Sequence, residues 1–186
     1  AAHLMPPFMG QGMCAGIRDV SNLAWKIAKC LRKKHDDKFL NTYQSERFSN
    51  VKEYIETTVR MGEFVNAIGS AQITNNISSS NDGTKSMKSI KPKLGMGLGK
   101  INDENRGKIF PQLKMKNGKT FDFKFSNLPI LIFSSKLNKK QKLSKFNSIN
   151  ENEVKGLPNL MKRCNAKALI VRPDRFILES CKRTKD

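Results

Sequence analysis

Behind Gly12 the apolar residues Ala15, Val20, Leu23, Ala24, Ile27, Ala28 and Leu31 recur at mostly three- and four-residue steps. That spacing makes one stripe of an amphipathic helix and predicts that it runs to about Lys33. Lys29, Arg32, Lys33 and Lys34 gather at its end, where cations suit the negative pole of the helix dipole. The KKHDD turn at 33–37 stops it. A second helix is predicted from near Asp37, a candidate N-cap, with Phe39, Leu40, Tyr43, Arg47, Val51, Ile55, Val59 and Phe64 along one side. Two long helices joined by so short a turn should lie antiparallel.

From about Thr74 to Gly99 the pattern dissolves into Ser, Asn, Lys and Gly, which reads as a linker or a mobile surface crossing. Beyond it come short apolar runs: FDFKF at 121–125, LPILIF at 128–133, KALIV at 167–171 and RFILES at 175–180. The last two predict a β-hairpin turning at Pro173 and Asp174, and LPILIF predicts a strand buried on both faces. NENEVKGLPNLMKRCN, at 150–165, should supply a helix or irregular crossover between them. The expected organisation is therefore a helical region at 1–73, a flexible linker at 74–100 and a small α/β domain at 101–186.

Ahead of the first helix, Pro6-Pro7 stiffen a loop that continues as Gly10-Gln-Gly12-Met-Cys-Ala-Gly16. A helix start exposes unpaired N–H groups and a partial positive charge, and glycines let a ligand approach that backbone closely. The stretch suits an anion or an electron-rich carbonyl oxygen; a merely tight turn before a helix is the alternative. Other glycine patterns carry less. GMGLG at 95–99 follows no predicted strand and reads as a hinge, and Gly118-Lys119-Thr120 reads as a hairpin turn, because Leu113 stands where a phosphate loop needs its first glycine.

Composition narrows the function classes. The net charge of +19 and pI near 10 first suggest nucleic acid, but the basic residues are mostly lysines scattered along the chain in short pairs. Phosphate binding profits from clustering, so a solvated surface is the expected reading, and no nucleic-acid partner is expected. A basic module that holds nucleic acid or an acidic partner stays as the alternative. Cysteines at 14, 30, 164 and 181 form no C-x-x-C pair, and only His3 and His35 could assist them, so no metal site is expected and the thiols should be reduced. No run is long and apolar enough for a membrane span, there is no secretion signal and no initiator Met, and the expectation is a cytoplasmic piece of something longer.

AAHLMPPFMGQGMCAGIRDVSNLAWKIA resembles the second FAD motif of the class A flavoprotein aromatic hydroxylases, which runs G-D-A-A-H, P-P, G-x-G-x-N-x-G-x-x-D, N-L-x-W-K-L. LNTYQSERFSNVKEYI is similar to that family's L-x-x-Y-x-x-E-R-x-P segment. GKIFPQLKMKNGKTFDF and KALIVRPDRFIL resemble its carboxy-terminal thioredoxin-like domain. Relatives of the 3-(3-hydroxyphenyl)propionate and phenol or resorcinol hydroxylase group look nearest. The resemblance implies the fold class α/β: the carboxy-terminal helical part of a Rossmann-like FAD-binding domain, then a small thioredoxin-like α/β domain. It implies FAD as cofactor with NADH or NADPH as co-substrate, and a small phenolic substrate with O2; it allows a homodimer of the full-length protein. It assigns cofactor binding to Pro7, Gly10, Gly12, Met13 and Cys14, with Pro7 beside the flavin face and the Met13 and Cys14 amides toward its electron-accepting edge.

The resemblance assigns no catalytic residue within this chain. Arg18 and Asp19 fit structural roles, Arg18 by pairing with Glu46 or by supporting the sheet; Trp25 fits packing between the helices, and Arg47 a tie to another part of the FAD domain. The pattern departs from the family at Cys14, commonly Asn or Tyr, and at Ser49, usually Pro. It lacks the Gly-Asp that precedes Ala1 in the motif and the nucleotide-binding G-x-G-x-x-G, so the fragment alone is expected to be inactive.

Overall fold

The computed structural model describes residues 3–32, 36–69, 90–121, 129–133 and 147–182. A 3-10 turn at Pro7–Met9 leads into α1 (Gly12–Leu31); a second 3-10 turn at Asp37–Leu40 leads into α2 (Asn41–Gly69). The strands are β1 (Ile130–Phe133), β2 (Asn147–Asn150), β3 (Ala166–Val171) and β4 (Ile177–Lys182), with α3 (Leu157–Arg163) between β2 and β3. The cap of the second 3-10 turn is Asp36, whose carboxylate accepts from the Lys38 amide, one residue earlier than Asp37. Contacts between α1 and α2 run in opposite sequence order, from Lys26 on Glu46 through Asp19 on Arg47 to Arg18 over Tyr54, as an antiparallel pair requires.

The sheet order is β2-β1-β3-β4, with β1 and β2 parallel and β3 antiparallel to both β1 and β4. The hairpin predicted at Pro173 and Asp174 is present as β3 and β4. LPILIF forms β1, but only Ile130 and Ile132 are fully buried; Leu131 and Phe133 are half-covered, so the strand alternates rather than being sealed on both faces. β2 was not predicted: NSIN contributes one buried apolar residue, Ile149, and pairs only with β1 at the sheet edge. FDFKF lies outside the described residues except at buried Phe121. Gly118, at φ 82°, turns the small hairpin that bridges Lys114 to Thr120.

Of the predicted linker, 74–89 lies outside the described residues, whereas 90–100 is packed. Leu94 is buried, and the Gly95 amide donates to the Glu46 carbonyl of α2 at 2.8 Å. GMGLG is a point of close approach rather than a hinge: a Cβ on Gly95 would strike Ser49 and the Ser45 carbonyl, and one on Gly97 would strike the Glu46 side chain. Only glycine lets the strap lie that close to the helix.

The apolar core belongs almost wholly to the second half, where Phe110, Phe121, Ile130, Ile132, Leu157, Met161 and Leu169 interlock. The helix pair is built differently. The buried face of α1 is Ala15, Asp19, Asn22 and Lys26, at steps of four, three and four, so its inward side is polar. Its apolar side faces out: Met13, Ile17, Val20, Ile27 and Leu31 are exposed by 75, 57, 67, 39 and 79%. The buried face of α2 is likewise largely polar, with Glu46, Arg47, Asn50, Thr57 and Thr58 joined by Val51 and Tyr54, while Val59, predicted on that side, is exposed.

An exposed apolar stripe of that size marks a candidate association surface. The 186-residue chain is expected to self-associate through α1 at micromolar concentration. Ile17→Glu with Val20→Lys should return it to monomer size in sedimentation velocity, and an unchanged sedimentation coefficient would locate the association elsewhere.

Candidate functional site

The loop before α1 is held by local geometry. Gly10 sits at φ 61°, and its amide donates to the Pro7 carbonyl at 2.9 Å, closing the proline-led turn. Left-handed backbone at that step accounts for the glycine. Phe8 anchors the turn on α2, lying so close to Gly62 that any Cβ there would meet its ring.

At the start of α1 the first intrahelical bond is from the Ala15 amide to the Gln11 carbonyl, 2.8 Å. The amides of Gly12, Met13 and Cys14 precede it and have no helical acceptor. No side chain caps them, and the first turn holds no acidic residue. Among the described residues the positive dipole end and these donors have no side-chain counterpart. A Cβ on Gly12 or Gly16 would meet nothing within 4 Å among the described residues, so their packing does not explain either glycine. Pro7, Gly10, Gly12 and Met13 are exposed and Cys14 is half-covered.

Two clefts flank the helix pair, and neither is lined by those five residues. One, of about 260 Å³, opens beside Met9, Gln11, Arg18, Tyr54 and Phe176. The other, of about 490 Å³, lies along His3, Asp19, Tyr43, Arg47 and Phe48. Arg18 does not pair with Glu46. Its guanidinium stacks over the Tyr54 ring at 5.1 Å, and Nη1 is buried with no partner among the described residues. Asp19 accepts from Arg47 Nε at 2.6 Å and lies 2.9 Å from His3 Nδ1, and Arg47 also bonds Asn50. Trp25 lies edge-on to Phe39 of the turn between the helices, at 5.5 Å between ring centroids.

What sequence reasoning missed is the buried charge cluster beneath α1. Glu46, fully buried on α2, takes Arg172 Nη1 at 2.7 Å on Oε1, and on Oε2 takes Arg172 Nη2 and Lys26 Nζ, each at 2.8 Å, and Asn22 Nδ2 at 3.1 Å. The Leu98 amide completes Oε1 at 2.9 Å. Asp174 binds the same guanidinium, through Arg172 Nε at 3.0 Å and Nη2 at 2.6 Å, and accepts from Asn22 at 3.0 Å. Two cations and two carboxylates thus balance in a closed space. Burial pushes the Glu46 carboxyl upward, but hydrogen bonds and charge from Arg172, then Lys26, outweigh it and hold the group at about 2. Burial pushes the Lys26 ammonium downward against the pull of Glu46. The only available sequence signal was the pair of motifs E-R and R-P-D, 126 residues apart at Glu46 and Arg172, which no local spacing connects.

No group of His, Cys, Asp and Glu able to hold a metal occurs among the described residues, and all four cysteines are free thiols. None of the described helices is long and apolar enough to cross a membrane.

The geometry is that of a glycine-opened loop feeding an uncapped helix, joined to a small mixed α/β unit. Residues 1–58 match the family described as FAD binding domain. The chain is 38% identical over 116 residues to a probable NADH-specific resorcinol 4-hydroxylase of Rhodococcus jostii, covering 60% of this chain and 21% of that protein. Over 62 residues it is 47% identical to the 3-(3-hydroxy-phenyl)propionate/3-hydroxycinnamic acid hydroxylase of Escherichia coli, covering 33% of this chain and 11% of that protein. The chain therefore spans about a fifth or less of the length of these relatives. Its fold matches aklavinone-11 hydroxylase with FAD and aklavinone, at a TM-score of 0.62 and 15% identity, over 98% of this chain and 39% of that one. It also matches the rebeccamycin biosynthetic enzyme RebC with reduced flavin, at 0.64 and 14%, over 98% and 41%. The resemblance to FAD-dependent aromatic hydroxylases seen in the sequence holds in these comparisons.

Proposed function

We propose that this chain is the flavin-facing helical part and the carboxy-terminal domain of an FAD-dependent monooxygenase acting on a phenolic ring. The observation that carries the reading is the first turn of α1: three outward amides with no cap, no acid and no Cβ at Gly12, in a segment that matches an FAD-binding domain. FAD, when bound, would pass electrons from NADH or NADPH to O2 and supply the oxidising chemistry of aromatic hydroxylation. Within this chain, the Gly12, Met13 and Cys14 amides would be the groups to hold an electron-rich oxygen of that cofactor, as preorganised donors at the positive end of the helix. Pro6 and Pro7 hold the loop in one shape, Pro7 forming a wall of the flavin surface, while Gly10 and Gly12 keep side chains out of the ring's path.

The second domain is read as thioredoxin-like, supported by the parallel β1 and β2 beside the antiparallel β3–β4 hairpin in the order β2-β1-β3-β4. Without C-x-x-C, that fold supplies no dithiol chemistry here. A cytoplasmic setting suits an enzyme fed by reduced nicotinamide.

The test is a chimera in which the matched segment of this chain replaces its counterpart in the Escherichia coli hydroxylase. The purified chimera is expected to retain FAD, read as flavin absorbance stoichiometric with protein, whereas the 186-residue chain alone should bind none tightly. A folded but colourless chimera, with DNA retention of the chain that falls steeply with salt, would favour the basic binding module instead.

A further inference from the structure

α1 has its apolar stripe turned outward, so what holds the helix from beneath is a set of directional polar bonds rather than an apolar seam. Asn22 and Lys26 both end on Glu46, and Asn22 also ends on Asp174. Asp174 reaches across 152 residues from the turn of the β3–β4 hairpin, and Arg172 on the same turn grips Glu46 with two nitrogens while lying 5.2 Å over the Trp25 ring of α1. Apolar contacts tolerate sliding and rotation; a bidentate guanidinium and an amide shared between two carboxylates tolerate neither. The carboxy-terminal turn thus holds α1 at three consecutive inward positions, Asn22, Trp25 and Lys26, two of them through Glu46.

From this we infer that Arg172 and Asp174 are positioning residues: they set the axial placement and rotation of α1, and through that rigid helix the direction of the amides at Gly12, Met13 and Cys14. The inference rests on the reading of that first turn as the flavin contact. Met13 precedes Asn22 by nine residues, or about 13 Å along the axis, so neither Arg172 nor Asp174 acts on it directly. The second domain then has a task that uses neither a metal nor its two thiols, Cys164 and Cys181: it fixes the helix that addresses the cofactor.

The experiment labels the chain with ¹⁵N-methionine, which marks the amide of each of its eight methionines, Met13 among them, the Met13 signal being assigned by its loss in Met13→Leu. Asp174→Ala is expected to shift the Met13 amide signal and to move the emission of Trp25, the single tryptophan, to the red. Gln112→Ala, which removes the partner of Arg175 on the same turn, should leave both unchanged. A purely structural role would lower the melting temperature and disturb Met115 or Met161 in the second-domain core while leaving Met13 in place, and that result overturns the inference. If Asp174→Ala does not fold, the isosteric Asp174→Asn carries the same comparison, with the same meaning for a moved or unmoved Met13. The Met13 signal reports helix placement whether or not flavin binds, so this inference and the flavin reading fail separately.

Discussion

Glu46→Ala is expected to lower the stability of the chain by about 3–5 kcal/mol, the cost of leaving buried cations without their carboxylate. Lys26 and Arg172 are both fully buried or nearly so, and Glu46 is the acceptor they share. Against a typical total of about 5–15 kcal/mol, that loss lowers the melting temperature by roughly 10 °C or more and brings the chain near unfolding. Glu56→Ala is the control, since its contact with Lys52 is 3.8 Å long and both groups are more than half exposed; pairs of that kind contribute little. Equal melting shifts for the two variants, measured by circular dichroism, would mean that the cluster does not hold the halves together. The same carboxylate gives a pH signature. Its folded value, about 2, lies below the ordinary 4.5, so its contribution of about 3 kcal/mol is complete above pH 4.5 and is lost as pH falls toward 2. In Glu46→Gln that acid-side slope should flatten.

The cluster also marks where the sequence stops being readable. α1 and α2 were legible because apolar residues at three- and four-residue steps need a helix whatever surrounds them. Which side of α1 faces inward was not: Val20, Ile27 and Leu31 make a stripe, but a stripe indicates a covered face only when something covers it, and here Asp19, Asn22 and Lys26 turn inward instead. The partner of Lys26 lies 20 residues away, and those of Asn22 lie 24 and 152 residues away, so no local spacing could announce them. β2 escaped for another reason: an edge strand covered on one face needs a single apolar residue, and Ile149 is that residue. GMGLG at 95–99 was misread because glycine required by close approach looks, in one dimension, like glycine required by motion; only the position of Ser45, Glu46 and Ser49 tells them apart. The shape of the loop before α1 was legible because proline and glycine fix backbone locally, so Pro7 and Gly10 needed no distant partner to define the turn.

Gly12→Val is expected to leave stability unchanged or slightly raised and to weaken FAD binding by the chimera about a hundredfold. The two expectations follow from one observation: the position has open space and ordinary helical backbone, so a Cβ there meets no atom of the described residues. Valine is also a better helix residue than glycine, which favours the fold by a few tenths of a kcal/mol. A ligand that receives the Gly12, Met13 and Cys14 amides must come within hydrogen-bond distance of that backbone, and a branched side chain at the first helical position occupies the approach. Losing one or two bonds to a charged or electron-rich acceptor costs about 3 kcal/mol, which is two powers of ten in affinity. Met13→Ala serves as comparison, because its side chain is 75% exposed and its amide survives the substitution, so affinity should change little. Fluorescence titration of apo-chimera with FAD reads both variants. If Gly12→Val binds FAD as tightly as the parent chimera, the open turn of α1 is not where the flavin lies.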